Sequence, residues 1–421
     1  MSKKRSQFIW ISWLFVSSSV LASETLPYST RTHPYNGWNS SVHGDNRTLG
    51  MGGATVGLAD TFLASTENPA GLAMTLDGID LNVSDNEIYD VNIQNYNNPI
   101  YLGSLGIAVN HHPWGFSAGF FNSYREGQEY VLPSNGGKPA YLETSLSEFR
   151  VGIAKLCDIK NRTISLGIAL NFGTAEESIN GMPKQSSALG LIVSGLYQLP
   201  NRLLLGLSYQ LPMSYPVPTT EESTVLPGFY QVMKVPSRLV LGVGWIPSRI
   251  FRAGLSLGFI GETLDTTLLR DDQLVIGDFQ TYQPRFGFAY TFADFSTVQS
   301  KIFAGSYLEN SRIRGNGHFH GTVGLEARMW FVTLGYSADL STDFLNNSFS
   351  LGIDLVRMLS MAELIPKLWH PPYAGLFADP FAFSDVGLPR PLVENWVPQG
   401  KPLDPVKVGL AIPALVEKKF E

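Results

Sequence analysis

One cysteine, Cys157, in 421 residues leaves no partner for an intrachain disulfide. A small disulfide-stapled fold is therefore excluded, and the thiol reads as a small buried or lipid-facing side chain. Charge is scarce as well: Asp, Glu, Lys and Arg make up 16% of the chain, against about 25% in an average soluble domain. The net charge of -6 offers no basic face, so no nucleic-acid partner is expected. After the first 22 residues no apolar run reaches the length of a membrane helix. A chain of this kind enters a membrane only as a closed barrel, because only helices and closed barrels satisfy every backbone polar group in lipid. Catalytic spacings are missing too. Neither H-E-x-x-H nor a phosphate-binding glycine loop occurs, and no Ser/His/acid spacing singles out a triad. The expectation is a protein that is not an enzyme, with no catalytic residue, metal or cofactor.

What is present points to export. Lys3, Lys4 and Arg5 form a charged end, 8-FIWISWLFV-16 an apolar core, and Val20-Leu21-Ala22 a small-residue cleavage site, so residues 1–22 read as a signal peptide. The apolar core is too short to span a bilayer, which needs about 20 residues. Glycine is abundant at 41 residues, a sign of turns or close backbone approach.

The strongest pattern is period two. In 163-TISLGIALNFG-173, Ile164, Leu166, Ile168, Leu170 and Phe172 alternate with Ser165, Gly167, Ala169 and Asn171. The split recurs in 238-RLVLGVGW-245, 252-RAGLSLGF-259, 285-RFGFAYTF-292 and 349-FSLGIDL-355. A soluble sandwich would alternate in the same way, but its non-core face would be loaded with charge. Here that face is mostly Gly, Ser and Ala with scattered Arg150, Arg202, Arg238, Arg252, Arg285, Glu326, Arg328 and Asp354, which suits a crowded barrel interior. Aromatic residues near strand ends, among them Trp114, Trp245 and Trp330, fit interfacial girdles.

The expected fold is all-β: a transmembrane antiparallel barrel of about fourteen strands, an even number as bacterial barrels usually have. The barrel occupies residues 77–358, and loops are expected at 128–144, 174–185, 214–235, 264–279 and 309–317. Residues 23–76 precede it, and a proline-rich extension, 359–421, follows. The extension either folds back or meets a protein partner, or else the final strand lies within 406-VKVGLAIPAL-415.

With barrel, signal and pre-barrel segment placed, 47-RTLGMGGATVGLADTFLASTENPAGLA-73 resembles the amino-terminal signature of the FadL/TodX-type outer membrane transporters of long-chain fatty acids and hydrocarbons, with their PorV-type relatives. The stretch 235-VPSRLVLGVGW-245 is similar to a strand of that family. The resemblance implies a plug, or hatch, inside the lumen with Asn68, Pro69, Ala70 and Gly71 at its turn. It also implies passive uptake of a hydrophobic small molecule that leaves sideways into the membrane lipids through a gap at a strand kink. The counterpart strand here is 114-WGFSAGFFNSYREG-127, with Gly119 and Asn122 as the expected kink. Arg238, Arg252 and Arg285 could clamp a carboxylate, or pair with Glu326 or Asp354. The PorV-like alternative is an outer membrane adaptor holding periplasmic or surface protein partners through the extension. An outer membrane lipid hydrolase is a third and more distant reading. His318 and His320 share one side of a strand, but a pair without a nearby carboxylate or cysteine makes a weak metal site, and a rim or loop position is expected.

Overall fold

The structure is a computed structural model that describes residues 45–59, 64–74 and, with gaps, 78–364, together with 375–376; the larger gaps are 91–100, 132–138, 217–231, 262–279 and 310–317. The export signal, the loops expected at 264–279, most of that at 214–235, and the stretch 406–415 lie outside the described residues.

Among the described residues, the wall comprises β1 (Gly78–Asp90), β2 (Tyr101–His111), β3 (Trp114–Val131), β4 (Pro139–Ile159), β5 (Arg162–Ile179), β6 (Met182–Leu199) and β7 (Leu203–Gln210). A small hairpin, β8 (Met213–Pro216) with β9 (Val232–Val235), interrupts it. The wall resumes with β10 (Arg238–Trp245), β11 (Phe251–Ile260), β12 (Thr281–Asp294), β13 (Val298–Glu309), β14 (His318–Met329), β15 (Val332–Ser341) and β16 (Phe344–Asp354). Each wall strand pairs antiparallel with its neighbours, and β1 pairs with β16, so fourteen strands close on themselves. Because β16 already completes the ring, a closing strand at 406–415 is not needed. Of the extension, β17 (Gly375–Leu376) adds two residues to β12 at Ala293 and Asp294.

The alternation sets which side faces out. On β5, Leu166 is 57% exposed while Ser165 is 0% exposed, and the pattern continues through Phe172. Large apolar side chains cover the outside all round, from Leu105 and Phe116 to Leu334 and Phe349. Such an outer face is stable against lipid and unfavourable against water. No helix among the described residues is long and apolar enough to cross a membrane, which leaves the strands to do so.

The two ends differ. At the turn end, where β1 begins and β16 finishes, the connections are short: 112–113, 160–161, 200–202, 330–331. Trp114, Trp245 and Trp330 are exposed there. The longer connections gather at the other, loop end. Two of the expected loops are corrected: β3 and β4 extend through most of 128–144, and β5 and β6 leave only 180–181 between them within 174–185. The reason is that the tall hairpins β3–β4 and β5–β6 rise above the lipid band. There the apolar alternation of the sequence ends while the backbone ladder continues.

Candidate functional site

The barrel interior is filled from the pre-barrel segment. Helix α1 (Asn46–Gly50) starts at Asp45, whose carboxylate accepts from the Thr48 backbone N–H at 2.8 Å. Burial pushes the Asp45 carboxyl above the usual range, and the Thr48 hydrogen bond opposes that shift. Gly52 and Gly53 follow with φ of +60° and +71°, a left-handed pair that reverses the chain at no side-chain cost. After residue 59 and a gap come α2 (Ala64–Glu67) and a 3-10 turn, Pro69–Met74. Almost every described side chain here is buried, Met51, Val56, Asn68, Ala70, Leu72 and Met74 completely.

The path of this plug follows the wall. It passes so close to successive inward glycines that a Cβ on most of them would overlap its backbone, on Gly335 the Asn46 side chain, and on Gly324 would be tightly crowded. Gly335 and Gly324 face Asn46, Gly305 and Gly287 face Met51, and Gly254 faces Ala54. Gly242, Gly244 and Gly206 face Val56 and Gly57, Gly167 faces Pro69 and Ala70, and Gly115 faces Leu72 and Ala73. The plug thus runs around the inner circumference from β15 to β3, against strand order. The glycine content of the chain has its explanation here: a bare backbone on the wall lets a second backbone lie against it.

The Asn-Pro-Ala-Gly turn fastens this belt. Asn68 Nδ2 donates to Val56 O at 2.7 Å and reaches Gly195 O at 3.4 Å, while its Oδ1 accepts from Ala70 N–H at 3.2 Å. Ala70 N–H donates to Ser194 Oγ at 2.8 Å, and Ser165 Oγ donates to Ala70 O at 2.6 Å. Gly71 N–H closes the turn onto Asn68 O at 2.9 Å. The expected motif residues therefore lie together, anchored to both β5 and β6. Ser165 and Ser194, which hold them, were not singled out from the sequence.

Arg238 and Arg285 meet a plug carboxylate rather than the wall acids considered for them. Glu67 lies 3.5 Å from Arg285 and 3.8 Å from Arg238. Arg285 also donates to Gly53 O at 3.2 Å and to Gln283 Oε1. Glu326 pairs instead with Lys301 at 2.7 Å, and Asp354 lies near Arg357 at 3.9 Å. Arg252 is buried on the inner face, and Arg47 reaches across the lumen to Leu58 O at 3.4 Å. Arg202 is not on an inner face but in a turn, donating to Pro247 O. The middle of the lumen thus gathers Arg47, Arg238, Arg252, Arg285 and Lys301 around Glu67 and Glu326, a surplus of positive charge.

A second inward element comes from the loop end. Met213 and Tyr215 of β8 are buried against Gly190 and Gly173 of the wall. Burial, with Glu148 nearby, pushes the Tyr215 phenol well above its ordinary range, so it stays neutral.

On β3, Gly119 pairs in regular register with Gly106 and Arg150. The irregularity is at Asn122: the register of β3 against β4 slips between Asn122 and Tyr124, a bulge. Among the described residues, pairing of β2 with β3 ends at Ser104 and Phe121, although β2 continues on β1 to Tyr101 and β3 continues on β4 to Val131. Above Phe121 the described pairing of β3 is with β4 alone. Phe121 faces inward, belongs to the same apolar cluster as plug residues Leu72, Ala73 and Met74, and lies under the Arg150 guanidinium at 5.4 Å. Arg150 in turn contacts Glu148 at 2.5 Å and Thr66 O of the plug at 3.4 Å.

His320 departs most from expectation. It is on the inner wall, fully buried, with Nδ1 2.7 Å from Asp339 Oδ1 and Nε2 2.9 Å from Glu309 Oε2. Tyr307 stacks on the imidazole at 4.2 Å and donates to Asp339 at 2.5 Å. The carboxylates missing from the local sequence come from β13 and β15. No group of three acidic, His or Cys side chains suited to a metal occurs among the described residues.

No protein-family model matches the chain, and no curated protein matches it in sequence. Solved structures do match. The CymD monoaromatic hydrocarbon channel aligns at a TM-score of 0.51 and 12% identity, over 75% of this chain and 96% of that one. The toluene transporter TbuX of Ralstonia pickettii gives 0.51 and 11%, over 75% and 99%. The toluene transporter TodX of P. putida gives 0.51 and 13%, over 74% and 98%. At such identities the likeness is one of fold: the chain has the fourteen-stranded barrel of the FadL/TodX-type transporters.

Proposed function

We propose that the protein is an outer membrane channel for passive uptake of hydrophobic small molecules, with the pre-barrel segment as its hatch. The observation that carries this reading is the end of the described β2–β3 pairing at Ser104 and Phe121, beside the bulge at Asn122. A break in the wall there would give an apolar molecule a way out of the lumen that never crosses the far aqueous compartment. Phe121 shares a buried apolar cluster with the plug's Leu72 and Met74, so a shift of the 3-10 turn after Asn68 would loosen the inner side of the wall there. The excess of arginine and lysine around the plug in the lumen favours a ligand with a carboxylate, such as a long-chain fatty acid, which the guanidinium groups would hold in competition with Glu67. That structural neighbours are hydrocarbon channels and toluene transporters supports the reading at the level of substrate class.

Uptake of labelled oleate and of toluene by cells with and without the gene tests it, with Asn68→Ala as a hatch variant. Loss of uptake on deletion is expected; unchanged uptake would overturn the proposal.

A second reading, a PorV-like adaptor, draws on β17. Gly375–Leu376 pairs with β12 at the turn end, a place from which the extension could meet a protein partner.

A further inference from the structure

The outer wall carries a depression of about 550 Å³ that spans β14, β15, β16, β1 and β2. That volume falls in the range of ligand pockets, roughly 300–1,000 Å³. Its sides are outward apolar residues, chiefly Leu102, Leu334, Phe349 and Leu351, and its floor is cut down to the small inward residues Gly335 and Ser350. Ser350 Oγ bonds Asn46 of the plug at 2.6 Å, so only one thickness of backbone separates the groove from the plug.

The groove has a polar end. The register of β1 against β2 slips between Ser84 and Asp85, and pairing of β1 with β16 skips from Ser84 to Glu87. Side chains bridge the skipped rungs: Phe349 N–H donates to Asp85 Oδ1 at 2.7 Å, and Ser348 Oγ donates to Asp85 O at 2.8 Å. Tyr336 donates to Asn347 Oδ1 at 2.9 Å close by. By strand direction these groups sit on the loop-end side of the groove, and Leu334 and Leu351 lie toward the turn end. A carboxylate on the lipid face of a barrel is costly and marks a site when no cation answers it. Among the described residues the Asp85 carboxylate accepts from one backbone donor, which leaves acceptor capacity for a ligand.

We infer that this groove binds a single aliphatic chain with a hydrogen-bond donor at its head, a long-chain amine or alcohol dissolved in the bilayer. The chain lies along Leu334, Phe349 and Leu351, and the ammonium or hydroxyl donates to Asp85. A fatty acid, the ligand favoured by the cationic lumen, is disfavoured here because its carboxylate meets another. The inference concerns the outside of the wall and does not rest on the transport reading.

The test is photolabelling of the purified full chain in phospholipid nanodiscs with a diazirine-bearing hexadecylamine and the matching palmitic acid, read by peptide mass spectrometry. The amine should label peptides containing Leu334 and Phe349 about tenfold more than the acid does, the scale of one charge-assisted hydrogen bond. Asp85→Asn should bring the two probes to parity. Ala327→Trp, which fills the groove, should remove labelling there while the outward face of β5 keeps its background, a control that the barrel is folded. Labelling no stronger than on β5, equal labelling by amine and acid in the unsubstituted protein, or a preference that survives Asp85→Asn would each overturn it.

Discussion

Asn68 donates through Nδ2 to the backbone carbonyl of Val56, 2.7 Å away, and so ties the two arms of the plug to each other. Both groups are buried, so the bond has no water to replace it. Asn68→Ala should leave Val56 O without a partner at a cost of about 1–3 kcal/mol. The wall strands do not depend on this bond. The expected outcome is a barrel that still migrates as a folded, heat-modifiable band, with faster hydrogen exchange confined to peptides from 45–74. Uniform acceleration across the barrel would show that plug and wall unfold as one.

Glu67 faces Arg238 and Arg285 at distances outside tight hydrogen bonding, so its role is to offset two like charges. Glu67→Gln keeps the shape and removes the charge. Breaking a buried pair in this way should destabilise the protein by about 3–5 kcal/mol. Adding Arg285→Met to Glu67→Gln should recover a large part of that loss, since the uncompensated guanidinium goes with it. Thermal unfolding of the three variants checks the sign; a double variant weaker than Glu67→Gln alone would mean Arg285 acts mainly through Gly53 and Gln283.

The glycine belt makes a position-specific prediction. Gly287 lies against Met51, where a side chain would overlap backbone, whereas Gly321 on the same wall has no heavy atom within 4 Å of an added Cβ. Gly321→Ala should change stability by no more than about 0.5 kcal/mol. Gly287→Val should keep the plug from seating, which limited proteolysis within 45–59 would reveal. Equal protease resistance would mean the plug can shift away from β12 at little cost.

How much of this was legible in the sequence depends on what each residue touches. The fourteen strands were readable because lipid outside and crowding inside impose opposite side-chain sizes on alternate residues, as Leu166 and Ser165 show. The upper parts of β5 and β6, 174-TAEESI-179 and 182-MPKQ-185, were taken for loop because that contrast ends there in the sequence. The NPAG turn was readable as part of a plug only through resemblance. Its anchors Ser165 and Ser194, 95 and 124 residues away from Ala70, leave no local trace. Inward glycines were visible in the pattern as members of the small face, but the backbone that lies on them was not.

His320 shows the same limit. Its partners are set by strand register: Glu309 is 11 residues before it and Asp339 19 after, and the pairings of β14 with β13 and β15 bring both to its ring. With both nitrogens facing carboxylates, the imidazole can serve both only as the doubly protonated cation. His320→Gln keeps one donor and should cost several kcal/mol, on the order of 3–5, by leaving buried negative charge without an answer. Asp339→Asn in the His320→Gln background should restore part of it. If His320→Gln unfolds at the same temperature as the parent, the cluster does not hold the wall.

The bulge on β3 offers the most direct test of the lateral route. Asn122 pairs with Ser147 and Tyr124 with Leu146, so Ser123 is the one residue without a counterpart on β4. Deleting Ser123 restores one-to-one register and removes the extra twist that a bulge gives its strand. A straightened β3 can then continue its ladder with β2 past Phe121, where that pairing now ends. The variant should be at least as stable as the parent, because it gains strand pairing. Uptake of hydrophobic substrate should fall toward the level of the deletion strain while the amount of folded barrel in the membrane stays unchanged. Full uptake through a straightened β3 would move the exit elsewhere in the wall and leave the bulge with a purely architectural role.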